Sequence, residues 1–214
     1  MKDHFMIFFT NAYCREGAEW SVVLQQFTRQ DGIPILFACI WQGDTKGPER
    51  ITDWIYEEVL TLCARGKAAR CTDKVRKAFQ RRYRTLGCRN ASLALFFAMD
   101  EECFYAWQGK GQLYFFQLLF DKVKGRPLAR NSSEEGENIG CERAVWEPQT
   151  GILLGSAEFL EALEQGGADT AACLRASELK TEEQAGKHLR ELCTAVEVRG
   201  VRDATAVFCM AVRG

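Results

Sequence analysis

The segment that most constrains this chain is IPILFACIWQGDTKGPERITDW, from Ile33 to Trp54. Ile33 to Trp41 is an apolar run with β-branched and aromatic members, short enough for a buried strand and too short to cross a membrane. Gly43, Asp44, Lys46, Gly47 and Pro48 then make a polar loop, with Pro48 placed as the first residue of a helix. The segment reads strand, glycine loop, helix. A loop in that position holds a metal or a phosphate in many enzymes, yet this tip offers Trp41 and Gln42 where such chemistry needs carboxylates.

At 214 residues, 47% hydrophobic and 11% aromatic, the chain can bury a sizeable core, and one domain over 1–214 is expected. No stretch approaches the roughly 18 apolar residues of a membrane helix. MKDHFMIFF has too short an apolar run for a secretory leader and no small-residue cleavage site after it. A cytoplasmic protein without a membrane partner is therefore expected. The ten cysteines form no CxxC pair and no Cys/His cluster of zinc spacing, so they read as reduced thiols. The net charge of −1 conceals an uneven distribution. Between Arg65 and Arg89 there are ten Lys or Arg against one acid, Asp73, whereas acids dominate from Glu134 to Glu191. Such runs are usually solvated helix faces; the sharper reading of the first is a patch for an acidic or nucleic-acid partner.

Taken in order, Phe5 to Thr10, Trp20 to Thr28 and Ile33 to Trp41 are expected strands, the first two joined by the polar turn NAYCREGAE. The helix after Pro48 sets Ile51, Trp54, Ile55, Val59 and Leu62 on one face. Thr72 is the expected cap of a second helix with Val75, Ala78, Phe79 and Leu86 buried. Ala91 to Met99, Cys103 to Gln108 and Gln112 to Leu119 read as a three-strand meander, with hairpin turns at Asp100-Glu101 and Gly109-Lys110-Gly111. The stretch 121–147, which contains NSSEEGEN, reads as a mobile loop. A strand from Gly151 to Gly155 leads to a helix capped by Ser156 and stopped by Gly166-Gly167, and a brief helix covers Thr170 to Ala176. Thr181 and Gln184 form a capping box, and Thr205 to Val212 is the last strand. Segregated strand and helix groups argue for an α+β fold.

That order resembles the metal-dependent protein phosphatases of the PPM, or type 2C, family. The family strand ending LFAVADGMGG is similar to LFACIWQGDTKG, from Leu36 to Gly47. YVANVGDSRAYLL is similar to FYAWQGKGQLYFF, from Phe104 to Phe116, with Lys110 in the acidic slot. LLCSDGL is similar to LLGSAEF, from Leu153 to Phe159, and the final DNxT strand motif to Asp203-Ala204-Thr205-Ala206, where Ala204 replaces the asparagine. The resemblance implies a four-layer αββα sandwich of two antiparallel sheets flanked by helices, and a pair of Mn²⁺ or Mg²⁺ ions held by aspartates at the edge between the sheets. Hard divalent cations want oxygen ligands, and two of them activate a water and clamp phosphate oxygens.

Carried over position by position, the resemblance implies a site that has lost those oxygens. The early Arg-x-x-x-Glu-Asp pattern falls on Arg15, Glu19 and Trp20, leaving Arg15 as a phosphate contact and tryptophan in place of the aspartate. The glycine-loop aspartate falls on Trp41, or on Gln42 if the loop is shifted by one, and the aspartate of SDG on Ala157. Asp203 is retained, with Glu19 as a remnant; Asp44 could join them in a poorer single-metal site if the loop rearranged. The expectation is a catalytically degenerate phosphatase-like protein with no cofactor, Trp41 plugging the cleft, and Mn or Mg bound only if the site retains function. Its expected partner is a protein such as a phosphoprotein or kinase in phosphorylation-linked signalling. The alternatives are a weak metal-dependent phosphatase and, third, an acidic or nucleic-acid partner on the basic helix; only Phe79 and Tyr83 are available there for base stacking, which makes nucleic acid the poorer candidate. N-terminal nucleophile chemistry lacks its residue in Met1-Lys2-Asp3, and cysteine catalysis through His4 or His188 has no supporting pattern.

Overall fold

A computed structural model describes residues 6–119, 122–127, 139–148, 150–165 and 181–213. Its strands are β1 (Met6–Cys14), β2 (Trp20–Thr28), β3 (Pro34–Gln42), β4 (Ser92–Met99), β5 (Glu102–Gln108), β6 (Gly111–Leu119), β7 (Lys122–Pro127), β8 (Gly140–Val145), β9 (Thr150–Ser156) and β10 (Thr205–Arg213). Helices α1 (Gly47–Trp54) and α2 (Leu60–Cys63) are joined by a π-helical turn, Ile55–Val59; α3 (Ala68–Arg82), α4 (Ala157–Gln165) and α5 (Glu182–Val198) follow. The strands make two five-stranded sheets, ordered β1-β10-β9-β6-β7 and β2-β3-β4-β5-β8, and their pairings are antiparallel.

β3 explains the layering. Its side chains alternate between two apolar environments, so the strand needs hydrophobic residues at every position. Ile35, Phe37, Cys39 and Trp41 pack with Ile51, Trp54, Val75 and Phe79 from the helices α1 to α3. Leu36, Ala38 and Ile40 face the other way, against Phe8, Ile152, Leu154 and Val207 of the first sheet. On the far side of that sheet, Leu153, Phe208 and Met210 meet Phe159, Leu163, Leu189 and Leu192 of α4 and α5. Two sheets face to face with helices on both outer surfaces form the expected four-layer αββα sandwich, an α+β fold.

Several local expectations change. Asn11 to Cys14 are strand, not turn, because β10 supplies their ladder partners as far as Cys14 opposite Thr205. β1 and β2 consequently lie in different sheets. β5 and β6 also separate, so Gly109-Lys110-Gly111 is a crossover between sheets and no hairpin turn. Gly109 has φ +60, and a Cβ on Gly111 would meet the Leu93 carbonyl carbon at 2.0 Å, so a side chain is excluded where the chain passes between the sheets. Asp100-Glu101 is the hairpin expected, with Met99 opposite Glu102 and Asp100 at φ 55. Thr72 does not cap α3, which begins at Ala68; its hydroxyl is buried inside the helix and has no hydrogen-bond partner among the described residues. The stretch 121–147 contains strands β7 and β8, and 128–138 lies outside the described residues. The Gly166-Gly167 stop and the helix around Thr170 to Ala176 lie outside them too.

The caps of α4 and α5 are as read. Ser156 Oγ accepts from the Phe159 amide at 3.1 Å, and Thr181 Oγ1 from the Gln184 amide at 3.3 Å. Every described cysteine is a free thiol. No helix of the described residues is long and apolar enough to cross a membrane, which says nothing of a β-barrel.

Candidate functional site

One end of the sandwich gathers nearly every position singled out from the sequence. The β1–β2 turn, Arg15 to Glu19, is tied to the residues before β10: the Arg15 amide donates to the Ala204 carbonyl at 3.3 Å, and its guanidinium donates to the Arg202 carbonyl at 3.0 Å. Across the β2–β3 ladder Trp20 lies opposite Gln42, and across β3–β4 Gln42 lies opposite Ser92. The Ser92 hydroxyl accepts from the Lys110 amide at 3.1 Å, and the Lys110 carbonyl accepts from the Ala157 amide at 2.8 Å. Arg15, Glu19, Trp20, Gln42, Lys110, Ala157, Asp203 and Ala204 therefore border one edge.

The side chains at this edge are engaged with one another. Gln42 donates its amide to the Glu19 carboxylate at 2.7 Å. The Lys110 ammonium pairs with Glu158 at 3.6 Å, both side chains well exposed. Asp44 accepts from the Lys46 amide at 3.0 Å and pairs with Arg50 at 2.9 Å. Its pKa lies below the usual carboxylate value, first because of the Lys46 amide and then because of the Arg50 charge. Ser92, Arg50 and Glu158 were not singled out from the sequence. Their roles come from pairing across elements, which leaves no local pattern.

The two tryptophans have different roles. Trp20 is 3% exposed and belongs to the layer between the sheets, with Ile40, Val207 and Cys209. Trp41 is 1% exposed but faces the helices. Its indole Nε1–H donates to the Asp44 carbonyl at 3.1 Å, and its ring covers Gly47 so closely that a Cβ there would fall 2.1 Å from a ring carbon. The space between the sheets is thus filled beside the edge by Trp20, and Trp41 does not occupy it. By strand alternation Gln42, in step with Leu36, Ala38 and Ile40, is the residue aimed along the inter-sheet face.

These residues do not fit a pair of hard cations. Among the described residues no three His, Cys, Asp or Glu side chains are grouped so as to hold a metal ion, so Glu19, Asp44 and Asp203 do not converge. Glu19 and Asp44 are engaged with Gln42 and Arg50, and the position beside Glu19 carries an indole.

Neither family sequence models nor curated proteins match the chain. Solved structures do. A bacterial serine phosphatase superposes with a TM-score of 0.59 at 11% identity, over 95% of this chain and 97% of its own. PppA of Pseudomonas aeruginosa, described as a key regulatory component of T6SS, matches at 0.55 and 12% identity, over 99% and 100%. The catalytic domain of the serine/threonine phosphatase PstP, in complex with two manganese ions, matches at 0.52 and 13%, over 97% and 99%. The chain has the fold of the PPM-type, or type 2C, serine/threonine phosphatases.

Proposed function

We propose that this protein is a catalytically degenerate member of the type 2C family, a pseudophosphatase that works as a binding or regulatory module in phosphorylation-linked signalling. The observation that carries the reading is the edge that brings together Trp20, buried between the sheets, Gln42, Lys110 and Ala157, residues that the motif resemblance sets where the family carries acids. Mg²⁺ dehydrates reluctantly and needs several well-placed oxygens, and scattered carboxylates already paired to Gln42 and Arg50 do not repay that cost. PppA supports a regulatory role by fold alone. The bound partner would be a protein presenting a phosphorylated or acidic segment to Arg15, Arg202 and Lys110.

Titration with Mn²⁺ by calorimetry, combined with turnover of an aryl phosphate, tests this reading. Absence of tight binding and of metal-dependent turnover supports it. Tight two-site binding with turnover would establish the weak phosphatase instead.

A further inference from the structure

The binding-module reading leaves the basic run unexplained. Lys67, Arg70, Lys74, Lys77 and Arg81 follow one another at spacings of three and four residues, so on α3 they form a single exposed ridge. At 1.5 Å per residue the ridge is about 21 Å long. The opposite face is anchored by Cys71, Val75, Ala78 and Phe79, all essentially without solvent contact. The start of the ridge is held by Arg29, whose guanidinium pairs with Asp31 and donates to the carbonyls of Cys63 and Gly66.

Nearby acids compensate only the second half of the ridge. Asp73 is shared by Arg76 at 2.8 Å and Lys77 at 2.7 Å. Glu58 is taken by Arg82 at 3.2 Å and by the Trp54 indole, with Arg81 at 4.0 Å. On the packed strands, Glu102 pairs with Arg143, and Glu142 accepts from the Tyr105 hydroxyl. Lys67, Arg70 and Lys74 have no ion pair among the described residues, which leaves the first half of the ridge as uncompensated positive charge.

The ridge also has a direction. Beyond its C-terminal end the chain passes Gly87, which lies against Arg50 and the Trp41 ring, and reaches Ser92 at the candidate site. We propose that the α3 ridge is a docking rail for an acidic segment of a partner protein, leading that segment toward the edge bordered by Arg15 and Lys110. Carboxylates or phosphorylated side chains at helical or extended spacing would complement it. The ridge lacks what other polyanions use. Phe79 is buried and Tyr83 is half-buried, so no exposed aromatic on α3 is offered for base stacking. Among the described residues the exposed large hydrophobics are Ile7, Tyr56, Val145 and Val198, none of them on α3, so nothing on the ridge inserts into a lipid surface.

The proposal assumes the binding-module reading but uses a different surface, and the test separates them. Fluorescence anisotropy of a short labelled poly-glutamate peptide is measured against the wild type, Arg70→Glu/Lys74→Glu, Arg70→Gln/Lys74→Gln and, as a control on the opposite outer layer, Lys187→Glu. The expected result is binding that weakens with added salt, falls about tenfold on reversal of Arg70 and Lys74, falls less on their neutralisation and is unchanged in Lys187→Glu. Failure of wild-type binding at low salt, or indifference to charge reversal, overturns the docking rail whatever the metal titration gives. Equal or tighter binding of a single-stranded oligonucleotide or of phosphatidylserine vesicles at the same salt overturns the choice of a protein segment.

Discussion

The Glu19 carboxylate accepts a hydrogen bond from the Gln42 side-chain amide at 2.7 Å, at the end of the β2–β3 ladder where Trp20 lies opposite Gln42. A metal site would need carboxylates at those positions and water between them; here a neutral donor satisfies the one acid and an indole fills the space beside it.

Replacing that donor by an acid reverses its effect. Gln42→Asp sets two carboxylates against each other, and the partly solvated position limits the cost to about 1 kcal/mol at neutral pH. The introduced carboxylate has its pKa raised by Glu19, so the penalty is present above that pKa and vanishes as pH falls through the carboxylate range. Urea unfolding of both proteins at neutral and acid pH measures it. A difference independent of pH contradicts the pairing.

Gly47→Ala is expected to destabilise by about 1–3 kcal/mol, because the added carbon overlaps the Trp41 ring and neither the strand nor the helix start has room to give. Gly17, at φ +80 with nothing within 4 Å of its Cβ position, is the comparison: Gly17→Ala costs only its backbone strain, about 1 kcal/mol. Chemical denaturation of the two variants gives the contrast directly.

Thr72→Val is expected to be neutral or stabilising by up to about 1 kcal/mol. The hydroxyl is buried inside α3 with no partner among the described residues, so an apolar group of the same shape removes a desolvation cost and loses no hydrogen bond. A fall in the denaturation midpoint would show that the hydroxyl has a partner.

Asp73 is held down to about 2 by hydrogen bonds from Lys77 and then Arg76. A carboxyl whose folded pKa is depressed adds stability that is complete above its unfolded value, about 4, and is lost as pH falls through the folded value. Asp73→Asn should therefore cost stability at pH 7, by less than about 1 kcal/mol because Lys77 is well exposed, and the gap to the wild type should close between about pH 4 and pH 2. Thermal melts across that range decide it.

Much of this fold is legible in the residues, and the reasons for the rest are specific. Ile33 to Trp41 reads as a buried strand because both its faces are apolar, and Ser156 and Thr181 announce their helices because caps are local chemistry. Sheet membership is not local. Nothing within Asn11 to Cys14 shows that β10 will pair with it, and the Gly109–Gly111 turn looks like a hairpin until the close approach of Leu93 shows a crossover. Thr72 has the composition of a cap but lies one turn inside the helix. At the candidate site the ambiguity between Trp41 and Gln42 is one residue of register, and in a strand one residue exchanges the two faces. The packing of Trp41 onto Gly47 and into the helix-side core puts Gln42, its neighbour on the strand, on the inter-sheet side.

Calorimetric titration of the wild type with Mn²⁺, run beside aryl phosphate turnover, asks whether this edge holds the metal pair of a type 2C phosphatase. The proposed pseudophosphatase gives no saturable two-site binding and no turnover above the metal-only background. Tight two-site binding with Mn²⁺-dependent turnover would overturn it.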